Sequence, residues 1–129
     1  MTQEEQSIKY VMKYEESQRR NPVDVSKKRT FGYDIESRNR FIEVKSRPGK
    51  TLQPFITLHN HLLRSIGKGL ANYYIYIVYD MGKEPKLVII PPEIIFKNLE
   101  TDVKLFIRQK VYNKLKFHKL KKLNKGLKK

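Results

Sequence analysis

The stretch Phe31-Gly32-Tyr33-Asp34-Ile35-Glu36-Ser37-Arg38-Asn39-Arg40-Phe41-Ile42-Glu43-Val44-Lys45 decides how this chain is read. Its second half, Arg40 to Ser46, is patterned as a strand. Alternation puts Ile42 and Val44 on one face and Glu43 and Lys45 on the other, with the Cα atoms of that last pair about 7 Å apart. Gly32 to Ser37 carries a weaker strand pattern, and the polar turn Arg38-Asn39 separates the two at hairpin spacing. Folding the chain at that turn brings Asp34 beside Glu43. Two carboxylates held that close repel each other, and a divalent cation between them removes the repulsion; hard oxygen ligands suit Mg²⁺ or Mn²⁺. Asp34, Glu43 and a backbone carbonyl near Val44 are therefore the expected metal ligands, with coordination positions left for phosphate and water. Lys45 either orients or deprotonates the attacking water or, as a cation, stabilises the phosphate, and the spacing leaves both roles open.

Working outward, Gln3 to Arg19 reads as a helix with Ile8, Val11 and Met12 on one face. Glu15 falls seven positions after Ile8, so its carboxylate points inward, while Glu16 sits towards the side of the stripe. Asn21-Pro22 ends that helix. Val23 to Ser26 is a weak strand in which Asp24 can cap or turn the chain, and Glu36 is a spare ligand or a surface acid. Beyond the hairpin, Arg47 to Lys50 forms a loop, and Leu58, Leu62, Leu63 and Ile66 predict a second helix over 57–68. His59 and His61 are two apart on that helix and face different directions, so they read as surface or DNA-contacting groups. Asn72 to Tyr79, with Tyr73, Tyr74, Tyr76 and Tyr79, is expected to be a buried central strand. A turn over 81–85, a strand over 86–90 and a short helix opened by Pro91-Pro92 complete the expected sheet region. Val103, Phe106, Ile107, Val111 and Leu115 then predict a final helix running from about Asp102 into a lysine-rich end. The expected organisation is one domain, with residues 1–101 as its α/β core and 102–129 as a basic helix and tail packed on or extending from it.

Composition narrows the function. With 129 residues, 39% hydrophobic and 32% charged, the chain can bury a single core. Its longest mostly apolar stretch, Tyr73 to Tyr79, is far short of the roughly 20 residues of a membrane-spanning helix, so no membrane is expected as a partner. The polar, acidic start from Met1 to Gln6 is unlike a secretory signal, which makes cytoplasmic localisation the expectation. Having no cysteine, the chain forms no disulfide and performs no thiol chemistry. A formal charge of +15 seeks a polyanion, and nucleic acid is the expected partner. Eleven Lys or Arg residues lie between Lys104 and Lys129, and no acid follows Asp102. Lys119, Lys121, Lys122, Lys125, Lys128 and Lys129 are the expected nucleic-acid-binding anchors, gripping phosphates without regard to sequence.

Asp34 followed by Glu43-Val44-Lys45 resembles the signature of the PD-(D/E)XK nuclease superfamily: an Asp, a variable gap, then Asp or Glu, any residue, and Lys. The likeness extends to Tyr14-Glu15, Asp24-Val25-Ser26, Gly32-Tyr33-Asp34-Ile35 and Ile42-Glu43-Val44-Lys45. Together these resemble the nuclease-like domain at the C-terminus of the plant protein NO VEIN and of many prokaryotic proteins, over roughly Lys9 to Tyr79. The resemblance implies an α/β, restriction-endonuclease-like fold with a central mixed β-sheet flanked by helices. It implies a Mg²⁺- or Mn²⁺-dependent endonuclease hydrolysing DNA, with Asp34, Glu43 and Lys45 as catalytic residues. A helical Glu often joins the metal site of that superfamily, and Glu15 is the position that fits. Pairing of two copies to cut two strands is a further implication. The chain departs from the pattern at Tyr33, where the signature has proline, and at His59-Asn60-His61, where an acid was expected. The rival readings are a catalytically silent DNA-binding module of the same fold, a Holliday-junction resolvase, and a lysine-rich RNA-binding protein, the last of which leaves the clustered acids unexplained.

Overall fold

A capping box opens the first helix, α1 (Gln3–Ser17): the Thr2 hydroxyl accepts from the Glu5 amide while the Glu5 side chain accepts from the Thr2 amide. In the computed structural model, which describes residues 1–28, 32–52, 55–57, 72–98, 104–115 and 117–119, α1 is followed by β1 (Val23–Asp24), β2 (Ile35–Ser37), β3 (Arg40–Arg47), β4 (Phe55–Thr57), β5 (Tyr73–Tyr79) and β6 (Lys86–Ile90). Then come α2 (Pro92–Lys97), β7 (Lys104–Phe106), α3 (Gln109–Tyr112) and β8 (Phe117–Lys119). Six strands form one sheet in the order β1-β2-β3-β5-β6-β8. β3 and β5 pair in parallel and the other neighbours pair antiparallel, so the sheet is mixed. β4 and β7 make a separate antiparallel pair.

The expected hairpin is present. Ser37 pairs with Arg40 across the Arg38-Asn39 turn, and Asn39 takes a positive φ of 57° there, a conformation asparagine tolerates. Alternation along β3, β5 and β6 divides the core in two. Ile42, Val44, Tyr76, Val78 and Leu87 pack with Ile35 against Ile8 and Val11 of α1. On the opposite face Tyr73, Ile75, Ile77, Tyr79, Val88 and Ile90 pack against Ile56, Ile95, Ile107 and Tyr112. Ile75, Ile77 and Ile90 are essentially inaccessible, and each contributes about 1.5–3 kcal/mol through burial. β5 is central, as its aromatic and β-branched composition predicts, and the architecture is α/β with helices flanking a mixed sheet.

Three expectations about secondary structure are corrected. Thr57 ends strand β4 rather than starting a helix, and the remainder of the predicted second helix, with His59 and His61, lies outside the described residues. The sheet does not stop at β6, because β8 adds Lys119, His118 and Phe117 opposite Lys86, Leu87 and Val88. The segment after Asp102 is not one helix: it supplies β7, the one-turn helix α3 and β8. The apolar spacing of Val103, Phe106, Ile107 and Val111 fits a helix, but strand partners in β4 and β6 satisfy this backbone instead, and such tertiary pairing overrides local propensity.

Candidate functional site

β2 is short, and that shortness makes the site. It pairs with β3 only at Arg40, Phe41 and Ile42, so that among the described residues the edge of β3 from Glu43 onward has no strand on that side. Asp34, just before β2, fills the gap. Its backbone N–H donates to the Ile42 carbonyl at 2.8 Å, and its Oδ2 accepts from the Val44 N–H at 2.8 Å. In a strand the N–H and C=O of one residue point to the same side. The Val44 carbonyl therefore also faces this open edge, beside Asp34. Gly32, with a φ of 75° that suits glycine, turns the chain ahead of Asp34, and its carbonyl accepts from the buried Tyr73 hydroxyl at 3.0 Å.

Glu43 occupies the other face of β3 from Ile42 and Val44 and is 6% exposed. Its carboxyl group shares a cleft with that of Asp34, and Lys45 Nζ is 3.2 Å from Glu43 Oε2. Burial, reinforced by the Asp34 charge and only partly offset by Lys45, pushes the Glu43 carboxyl up to about 8. Burial and then the charges of Glu43 and Asp34 hold the Tyr73 hydroxyl well above its ordinary range. Asp34, Glu43 and Lys45 line a cleft of about 710 Å³ together with Gln3 and Glu4 from the start of α1, Ser26, Lys28 and Arg47. The sequence stretch thus brings Asp34, Glu43, Val44 and Lys45 to one place, as the hairpin reading requires.

Glu15 is buried, as its helical phase predicts, but it is not at this site. α1 packs on the face of the sheet opposite to Glu43, so Glu15 meets Ser37 and Tyr76 there. Arg20 Nε and Nη2 donate to its two oxygens at 2.6 and 2.7 Å, the Ser37 hydroxyl donates at 2.8 Å and the Tyr76 hydroxyl at 2.8 Å. Burial alone would raise this carboxyl, but the bonds from Arg20, Tyr76 and Ser37 hold it below the usual range. The expectation that Glu15 is a catalytic residue and metal ligand is corrected on that ground: its lone pairs are taken, with the sheet between it and the cleft. Asp24 Oδ1 accepts from the amide and hydroxyl of Ser26, a local turn, and Glu36 accepts from Tyr33 at 2.7 Å. Lys119 ends β8, while Lys121, Lys122, Lys125, Lys128 and Lys129 lie outside the described residues. Glu4, Lys28 and Arg47 carry no strand or helix signal that marks them as cleft residues; only the direction of α1 and the loops around β3 places them there.

Residues 3–90 of this 129-residue chain match the family model described as Protein NO VEIN, C-terminal. The chain belongs to that family. The match contains the whole Asp34–Lys45 hairpin, α1 and the central strands, so the cleft lies within the part the NO VEIN C-terminal family shares. No curated protein and no solved structure matches the chain. Among the described residues no helix is long and apolar enough to cross a membrane.

The donor set of the cleft fits a hard divalent cation. The Asp34 and Glu43 carboxyl groups in one cleft, and a carbonyl aimed at the same edge, are oxygen ligands alone. Among the described residues no three His, Cys, Asp or Glu side chains gather to form an all-protein cage. Oxygen donors of this kind would suit Mg²⁺ or Mn²⁺, which keep several waters, rather than a structural zinc.

Proposed function

We propose that this member of the NO VEIN C-terminal family is a metal-dependent endonuclease of restriction-endonuclease-like fold that hydrolyses DNA phosphodiesters. The observation that carries the reading is the meeting of the Asp34 and Glu43 carboxyl groups at the uncovered edge of β3, with Lys45 beside them. A buried acid whose proton is retained to about pH 8 is costly for a structural role. A cation site explains why the sequence keeps it. Asp34, Glu43 and the Val44 carbonyl would hold Mg²⁺ or Mn²⁺. When bound, such an ion supplies Lewis acidity towards the phosphate and lowers the pKa of water.

The chain's own groups do the rest. The Asp34 bond to the Val44 amide fixes one carboxylate rigidly on the backbone, which preorganises the site. Lys45, 18% exposed along its side chain, reaches the cleft without being lost to solvent and donates to a phosphate oxygen as negative charge builds there. Lys28 and Arg47 line the same cleft and draw the phosphate backbone towards it. Water attacks phosphorus in line, the bond from phosphorus to the leaving sugar oxygen breaks, and the expelled oxygen takes up a proton. DNA is the partner in this reading. Two copies of the chain would be needed where both strands of a duplex are cut together.

Incubation of plasmid, single-stranded and branched DNA with Mg²⁺ or Mn²⁺, alongside Asp34→Ala and Lys45→Ala, tests the proposal. Metal-dependent cleavage that both substitutions abolish supports it. Cleavage by neither the wild-type chain nor the variants, with DNA binding intact, points to a silent DNA-binding module. A preference for four-way junctions identifies a resolvase.

A further inference from the structure

A second constellation lies on the α1 side of the sheet. Arg40, at the start of β3, donates from Nη1 to the Tyr76 hydroxyl at 2.7 Å, and its guanidinium stands 4.3 Å from the centre of the Tyr74 ring. Tyr76 in turn donates to Glu15, which Arg20 already holds through both of its oxygens. One buried carboxylate therefore serves two arginines, and the group carries a net positive charge. Arg40 itself has no carboxylate within ion-pair distance among the described residues. A groove of about 460 Å³ opens over this cluster, lined by Tyr14, Gln18, Arg20, Arg40, Tyr74 and Lys114 with apolar walls from Ile89, Pro91 and Leu115. No acid lines it among the described residues.

A fixed guanidinium with spare donors suits a phosphate oxygen, because its bonds to Tyr76 and its stacking on Tyr74 are made before any ligand arrives. The Tyr74–Arg40 pair is also a flat, cationic platform of the kind on which a nucleobase stacks. Ile89, Pro91 and Leu115 give a base or sugar an apolar wall, and the volume falls in the range of small-ligand pockets. A rigid duplex hides its base faces in the stack, whereas a single strand offers phosphate and base together. We propose that this groove binds one nucleotide of single-stranded nucleic acid, its phosphate on Arg40 and Lys114 and its base on the Tyr74–Arg40 platform. None of these residues belongs to the Asp34–Glu43–Lys45 cleft. The proposal needs no metal and goes beyond the cleavage reading: the chain holds an unpaired strand on the face of the sheet that does no chemistry.

The test is fluorescence anisotropy of labelled ten-nucleotide oligo-dT, oligo-rU and an abasic DNA of equal length, measured in EDTA so that cleavage plays no part. The full chain is expected to bind both base-bearing strands more tightly than the abasic strand. Tyr74→Leu should erase that preference, a loss of roughly 5- to 100-fold for one stacked base, and Tyr74→Phe should retain it. Lys114→Glu and Gln18→Glu sit at exposed rim positions, so the fold should survive both. Each should weaken binding several-fold, while Lys83→Glu, an equal change of charge to Lys114→Glu at an exposed turn, should change it less than twofold. Equal loss in Lys83→Glu and Lys114→Glu would mean diffuse attraction to a basic chain and would overturn the proposal. So would abasic strand binding as tightly as oligo-dT, or duplex DNA binding with the same sensitivity to Tyr74→Leu.

Discussion

Replacing Glu43 by Gln should stabilise the metal-free protein at alkaline pH while abolishing the proposed metal-dependent cleavage. In the folded chain the Glu43 carboxyl ionises near 8 against an ordinary value of 4.5, because burial and the neighbouring Asp34 outweigh Lys45. The unfolded chain has therefore released this proton above about pH 4.5, while the folded chain keeps it until about 8. Over that window the folded state binds the extra proton, so stability falls as pH rises, by ~1.4 kcal/mol per unit and on the order of 5 kcal/mol in total. At ~3–5 °C per kcal/mol for a chain of this size, the cost is roughly 15–25 °C in Tm between pH 4.5 and 8. Glutamine has the same shape and no proton to lose, so that slope vanishes. Thermal melts in EDTA from pH 5 to 8, taken as the difference between wild type and Glu43→Gln, cancel the histidines and the groups that do not touch Glu43. A difference that grows with pH in favour of the variant is expected, and Mn²⁺ should remove it by stabilising wild type alone. A pH-independent difference, or a variant less stable than wild type at pH 8, would refute the account of Glu43 as an acid whose ionisation burial and Asp34 oppose more than Lys45 favours it.

Glu15→Ala should cost about 3–5 kcal/mol, since it leaves the Arg20 guanidinium without its buried partner, yet Mn²⁺ affinity measured by calorimetry should be unchanged. The Glu15 carboxyl is depressed in the folded state, so its contribution is present above its ordinary value of 4.5 and lost as pH falls through the lowered one; the variant should show a flatter acid limb in urea titrations. Lys45→Ala should lower the cleavage rate at saturating DNA by roughly 10²–10³-fold, as loss of a positioned charge donor does, with DNA affinity in a filter-binding assay changed only a few-fold. Glu4→Gln, at the mouth of the cleft, should raise the Kd for Mn²⁺ about threefold with an unchanged melting temperature, and a Glu4→Gln chain indistinguishable from wild type would remove α1 from the metal site altogether.

The hairpin was legible because two periodicities and a turn agree. Ile42 and Val44 need a core, Glu43 and Lys45 take the opposite face, and Arg38-Asn39 fixes the register that puts Asp34 across from Glu43. β5 and β6 were legible from composition. The C-terminal strands were not, because three-residue elements such as β7 and β8 are too short to display a period of two, and the same apolar residues fit a helical wheel. Their structure is decided by partners, β4 for one and β6 for the other. Sequence proximity carries no information about which distant edge is vacant.

The site of the helical acid is the instructive miss. Periodicity says that Glu15 points towards the sheet, and it does; periodicity cannot say which side of the sheet α1 lies on, and the metal-site reading required the Glu43 side. Ile42 and Val44 decide the matter, since they share a core with Ile8 and Val11 and thereby oblige every inward residue of α1 to meet the even-numbered face of β3. Only the helix start escapes. Ser7 hydrogen-bonds Ser46 at 2.8 Å near the end of β3 while Glu15 reaches Ser37 near the hairpin turn, so α1 runs antiparallel to β3 and its first residues arrive at the bare strand edge. A helix N-terminus presents partial positive charge, which is unfavourable beside a cation, and an acid in that first turn offsets it. Under the proposed metal reading Glu4, which lines the cleft, would do this from a distance, since among the described residues no third acidic or imidazole side chain joins Asp34 and Glu43. The acid that α1 contributes is thus set by the direction of the helix and the length of β2, while Glu15 serves the opposite purpose, anchoring Arg20 and, through Tyr76, the Arg40 platform.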